Sequence, residues 1–167
     1  MAFKLATKLS ADSALCQLVD KAVGRKQPGA KYAGEVSPQE AFDYAKLNRS
    51  VIVDVRTAAE WQFVGLPDLN NTPSQLVTIS WKLYPSFAQN SKFISELMAE
   101  PAIRKDTPLF FICRSGGRSL DAAMAMTSEG YQYCFNITGG FEGEANMMNH
   151  RSTKQGWKHD NLPWVQG

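Results

Sequence analysis

Apolar residues fall along this chain in two rhythms, short unbroken runs and helical stripes. "VIVDV" (51–55), "LVTI" (76–79), "LFFIC" (109–113) and "YCFNI" (133–137) are runs of mostly β-branched or aromatic residues. Such runs predict strands buried on both faces, the habit of a parallel sheet. "YAGEV" predicts one more extended segment ahead of them. Between the runs lie helix signals. Ser37, Pro38 and Glu40 make a capping box with proline at the first helical position, so "AFDYAKL" is predicted helical. Thr57 and Glu60 repeat the box before "AAEW". "SKFISELMAE" (91–100) predicts an amphipathic helix stopped by Pro101, and "LDAAMAMTSEG" one that Gly130 ends. Strands and helices alternate, which predicts an α/β fold with a central parallel sheet between helical layers.

At the N-terminus, Leu5, Leu9, Cys16, Val19 and Val23 recur at near-helical intervals. They predict an amphipathic helix that docks on the domain or on a second subunit. "GRKQPGAK" (24–31) reads as a linker, so residues 1–30 form a helix and linker ahead of a domain spanning 31–167.

Composition narrows the partners. A net charge of +2 without a Lys/Arg run gives no footprint for nucleic acid. No stretch approaches the roughly 20 apolar residues that span a bilayer, and the N-terminus lacks the apolar block of a secretory signal. Three cysteines, an odd number without C-x-x-C spacing, oppose a disulfide framework and fit a reducing, cytoplasmic compartment. His150 and His159 have no paired cysteine nearby, so neither a metal nor another cofactor is expected. Cys16 and Cys134 read as packing residues, Met124 and Met126 as core fillers, and the four scattered Trp as core or pocket walls.

"CRSGGRS" (113–119) breaks this ordinary picture. Ligands of open α/β sheets bind beyond the carboxyl ends of strands, and Cys113 ends such a strand. Gly116 and Gly117 let the chain curl so that successive N–H groups turn inward as an anion nest. The following helix, expected near Ser119, aims its positive end at the same point. Arg114 and Arg118 add two permanent charges. Comparable settings lower a cysteine pKa from ~8.5 into a range of roughly 3.5–7.5, so Cys113 is the candidate nucleophile. Two chemistries fit, attack on a phosphate ester and attack on a sulfane sulfur. Four residues separate Cys113 from Arg118, one fewer than in C-x5-R phosphatases, and the tighter ring suits a single sulfur.

These residues resemble the rhodanese family of sulfurtransferases. "CRSGGRS" is similar to the active-site loop of single-domain rhodaneses, and "VIVDVRTAAEW" to the family's strand-Asp-x-Arg-x-x-x-Glu-aromatic segment. "GYQYCFNITGGFEG" and "GWKHDNLPW" resemble its closing strand, Gly-Gly turn and terminal segment. The resemblance implies a rhodanese-like three-layer fold with five parallel strands and ping-pong transfer through a persulfide. On this chain, Cys113 would accept sulfur from a small anionic donor such as thiosulfate. N–H groups of Arg114, Ser115, Gly116, Gly117, Arg118 and Ser119 would hold the outer sulfur, while Arg114 and Arg118 orient the donor. Asp54 and Arg56 would support the loop and pocket, or serve as a structural ion pair. The acceptor would be a protein or small thiol, and a homodimer is compatible with the pattern. A sulfur carrier without turnover remains an alternative, with a cysteine phosphatase or arsenate reductase behind it.

Three segments depart from the family. "VGLPDLNNTPSQ" replaces the usual Gly-His-Ile-x-Gly-Ala, "SWKLYPSFAQN" is inserted, and "EGEANMMNHRSTKQ" lengthens the late connection. The connection from Glu142 to Lys158 is expected to border the mouth of the crevice.

Overall fold

The structure, a computed structural model, describes the backbone of residues 2–167 and the side chains of residues 13–167. Five strands build one sheet: β1 (Gly34–Val36), β2 (Val51–Asp54), β4 (Gln75–Thr78), β7 (Leu109–Ile112) and β8 (Cys134–Ile137). Their order is β1-β8-β7-β2-β4, and every pairing is parallel. Two small ribbons stand apart from it. One joins β3 (Leu66–Pro67) to β9 (Trp164–Val165), and the other is a hairpin of β5 (Lys82–Leu83) and β6 (Ala88–Gln89).

Alternation along each central strand feeds two cores. Leu109 and Phe111 of β7 pack on one face with Val51 and Val53 of β2. On this face lie Phe93 and Leu97 of α4 (Phe93–Met98) and Ala122, Ala123 and Met126 of α5 (Gly117–Ser128). Phe110 and Ile112 point to the other face, among Ala41 and Tyr44 of α2 (Pro38–Leu47) and Leu18 and Ala22 of α1 (Ala2–Val23). Side chains along a strand alternate between faces, so an unbroken apolar run is what a sheet covered on both sides requires. This is the expected three-layer arrangement.

Both predicted capping boxes form. Ser37 Oγ accepts the Glu40 N–H while Glu40 accepts the Ser37 N–H, and Thr57 and Glu60 do the same at α3 (Ala58–Val64). α3 buries none of its residues fully; Val64 packs partly against the core, and the cap and Glu60's second partner, described below, add to that hold.

The N-terminal helix forms but turns a different stripe inward. Leu18 and Ala22 are buried, with Ala14, Leu15 and Val19 beside them, whereas Cys16 and half of Val23 are exposed. The expectation that Cys16 packs is therefore wrong, and the side chains of Leu5 and Leu9 lie outside the described residues. Contact with β1 selects this register. A Cβ on Gly34, at φ +140°, would stand 2.2 Å from the Ala22 carbonyl oxygen, so only glycine lets the helix end approach so closely. The 24–31 segment is a bonded turn, tied down by an Arg25–Glu40 ion pair at 2.7 Å. Among the described residues, no helix is long and apolar enough to cross a membrane.

Candidate active site

Cys113 follows the last residue of β7, with its side chain only 1% exposed. Its Sγ accepts the Gly116 N–H at 3.1 Å and the Ser119 hydroxyl at 3.2 Å. Gly116 is the N-cap of α5, at φ +113°. Its left-handed backbone turns the chain under the sulfur, where a residue with a side chain would be strained. The helix starts at Gly117, two residues earlier than the sequence suggested, so Ser119 lies in its first turn and its hydroxyl faces inward. Ser115 is half-buried, and a Cβ on Gly117 would meet nothing within 4 Å. Of the N–H groups from Arg114 to Ser119, that of Gly116 reaches Sγ.

The loop is held from behind at two places. The "TGGFEG" turn after β8 donates three N–H groups to it: Phe141 to the Cys113 carbonyl at 2.8 Å, and Glu142 and Gly143 to the Arg114 carbonyl at 3.0 Å each. A Cβ on Gly140, at φ +59°, would lie 2.4 Å from the Cys113 carbonyl oxygen, so this contact requires glycine. The second anchor is a buried carboxylate that sequence reasoning missed. Glu35 of β1 accepts from Tyr32 Oη at 2.7 Å, Thr138 Oγ1 at 2.8 Å and Asn136 Nδ2 at 3.0 Å. Asn136 Nδ2 also lies 3.2 Å from the Gly116 carbonyl, linking Glu35 to the residue that bonds the sulfur. A signal for it existed. Glu and Asn inside otherwise apolar strand runs must find partners, because an unpaired buried polar group is costly.

Asp54 and Arg56 form a fully buried ion pair. Arg56 Nη2 lies 2.6 Å from Asp54 Oδ2 and 2.7 Å from the Gly65 carbonyl. The guanidinium stacks 4.2 Å over the Phe141 ring, the residue whose N–H holds the Cys113 carbonyl. The buried Asp54–Arg56 pair thus contacts the residue whose N–H meets the cysteine loop.

Arg118 differs from the expectation. Its two terminal nitrogens grip the two Glu60 oxygens at 2.8 Å each, so its fork is already occupied. Burial by itself would raise the Glu60 carboxyl, but the Arg118 fork and the Thr57 N–H outweigh it and bring it down to about 2. Burial likewise opposes the charge on Arg118, and Glu60 overcomes that and raises it. Arg114 stays exposed.

Beside the loop opens a cleft of about 650 Å³. It is lined by Arg114 and Arg118 of the cysteine loop, by residues of α3, by the β5–β6 hairpin, and by Glu142 and Arg151. The late connection therefore borders the mouth. The remaining residues lie elsewhere. Cys134 is fully buried and its thiol is pushed up to about 12 by burial, Met126 fills the core, and His150 and His159 are surface residues.

The buried Cys113 sulfur, bonded by a backbone N–H at a strand-to-helix junction, thus belongs to the same loop whose Arg114 and Arg118 line the cleft. Known proteins resemble this chain. An uncharacterized protein of Rickettsia conorii, RC0915, is 40% identical over 126 residues, covering 75% of this chain and 91% of that one. The crystal structure of Rv0390 from M. tuberculosis superposes with a TM-score of 0.75 at 39% identity, covering 82% of this chain and all of that one. More distantly, a rhodanese-like/PpiC domain-containing protein of Arabidopsis thaliana chloroplasts is 27% identical over 96 residues, 58% of this chain and 27% of that one. The fold is rhodanese-like. Within it, the family whose pattern matches residues 33–167 is described as the STR4 middle domain, and the chain belongs to that family.

Proposed function

We propose that the protein is a sulfurtransferase that carries sulfane sulfur on Cys113. The observation that supports this most is the pair of donors, Gly116 N–H and Ser119 hydroxyl, aimed at Cys113 Sγ. Both donors hold the sulfur in place at the strand-to-helix junction, and the thiolate form is the nucleophile. The thiolate attacks the outer sulfur of thiosulfate. A Cys113–sulfur bond forms, the sulfur–sulfur bond of the donor breaks, and sulfite leaves with the electron pair. In the second half, an acceptor nucleophile takes the outer sulfur and the electron pair returns to Cys113 as thiolate. Arg114, exposed in the cleft lining, steers the anionic donor. Arg118, already bound to Glu60, positions α3 against the loop.

Intact-protein mass spectrometry after incubation with thiosulfate tests the proposal. One added sulfur atom on Cys113, removed by cyanide as thiocyanate over repeated cycles, is the expected result. Cys113→Ser takes up none, while Cys134→Ser and Cys16→Ser load like the parent, since one thiol is buried and neither lies in a nest. A single loading without cycling would leave a carrier. Equal loading of Cys113→Ser would refute the assignment.

A further inference from the structure

The cleft lined by Arg114 and Arg118 of the cysteine loop is large for an inorganic donor, and one of its walls is aromatic. Its volume of about 650 Å³ sits within the roughly 300–1,000 Å³ typical of sites for organic ligands. Thiosulfate is a single small tetrahedral ion. The wall comes from the inserted hairpin, whose turn holds Tyr84 at 64% and Phe87 at 50% exposure, their rings edge to face at 6.4 Å. Phe87 adopts φ +56°, a conformation that glycine or asparagine takes far more readily. A bulky aromatic kept there at a backbone cost, exposed on a cleft, points to use rather than packing.

The rest of the lining carries unbalanced charge, with Lys82 at the base of the same hairpin. Glu60 neutralises Arg118, but Lys82, Arg114 and Arg151 have no carboxylate partner among the described residues. Arg151 is positioned by its Nη1, which donates to the Gly143 carbonyl at 2.6 Å. Glu142 is the remaining acidic residue lining the cleft. Three cations facing one carboxylate, beside two exposed rings, suit a ligand with an apolar stem and at least one carboxylate.

We infer that this cleft binds a carboxylate-bearing organic thiol, or its persulfide, and that the hairpin bearing Tyr84 and Phe87 selects it over small acceptors. The transfer chemistry rests on the sulfurtransferase reading; the binding does not. In the forward step, the acceptor thiolate attacks the outer sulfur of the Cys113 persulfide. The new bond joins that sulfur to the acceptor, the bond to Cys113 breaks, and its electron pair stays on Cys113. The reverse step loads Cys113 from an organic persulfide.

The probe for binding is S-methylglutathione, which carries carboxylates and cannot accept sulfur. Calorimetric titration into Cys113→Ser protein is expected to give saturable binding that weakens with added salt. A Tyr84→Ala/Phe87→Ala variant of that protein is expected to bind about tenfold more weakly, the loss appropriate to removing two aromatic contacts. Both residues are exposed at a hairpin tip, and a thermal melt checks that the variant folds. Separately, the parent loaded with sulfur is offered glutathione or cyanide. The hairpin variant is expected to lose about tenfold in kcat/KM for glutathione relative to cyanide. No saturable binding overturns the inference, including the case in which only a protein thiol accepts sulfur. An equal loss for both acceptors overturns the hairpin's selectivity. Hairpin-dependent binding without any sulfur loading of the parent upholds the site and sinks the sulfurtransferase reading alone.

Discussion

Glu60→Gln removes one charge from the Glu60–Arg118 pair while preserving shape. The two side chains are only 18% and 17% exposed, so water screens them weakly. A carboxyl held at about 2 against an ordinary 4.5 corresponds to about 3 kcal/mol of preference for the ionised form in the folded state. Part of it belongs to the Thr57 N–H, which glutamine still accepts, so the expected cost at pH 7 is about 2–3 kcal/mol. The sign of the pH dependence follows from the depressed value. The contribution is complete above the unfolded-state pKa and fades as pH falls toward about 2, with roughly half gone near pH 3. Protonated glutamic acid leaves Arg118 as unpartnered as glutamine does, so parent and variant should converge in acid. Urea unfolding followed by tryptophan fluorescence, from pH 7 down to 3, measures the gap. A gap independent of pH, or one below about 0.5 kcal/mol at neutrality, would refute the argument.

Substitutions at three further positions have expected outcomes. Gly140→Ala puts a Cβ 2.4 Å from the Cys113 carbonyl oxygen, and should cost about 3 kcal/mol or more together with most of the sulfur loading. Gly29→Ala, also at positive φ but with nothing within 4 Å, should cost only about 1–2 kcal/mol in thermal denaturation and leave loading intact. Glu35→Ala strands the Tyr32, Thr138 and Asn136 donors, and should lower stability by about 2–4 kcal/mol. Because Asn136 also holds the Gly116 carbonyl, the rate of Cys113 alkylation should change as well, whereas Glu35→Gln should restore much of the stability.

Local chemistry made much of this fold legible. Cap boxes at Ser37 and Thr57 act over one helical turn, and buried strands announce themselves as unbroken apolar runs. The cysteine loop was legible for the same reason, since its glycines, arginines and position after β7 are contiguous. What the sequence hid depends on distant partners. Arg118 reads as a free cation beside a thiol until Glu60, 58 residues earlier, closes on it. Glu35 and Asn136 lie 101 residues apart, and only the β1–β8 pairing brings them under Gly116. The stripe on α1 was misread because Leu15, Cys16, Leu18, Val19, Ala22 and Val23 allow two apolar faces. The approach of Gly34 to Ala22 decides between them. The inserted hairpin has strands of two residues, too short for any periodicity to show.

The three N–H bonds that pin the Cys113 and Arg114 carbonyls come from a turn that lies after β8 in the chain. Translation runs from the N-terminus, so a nascent chain that has emerged only through α5 already carries Cys113, Arg114 and Arg118. It lacks the Phe141, Glu142 and Gly143 donors, and with β8 missing it lacks Asn136 as well. The cysteine therefore acquires its surroundings late in synthesis, after the chain has closed back on itself. Chains interrupted before the glycine turn hold Cys113 and its Gly116 and Ser119 donors in an unbraced loop, and a pinned loop becomes a sign that the domain is complete.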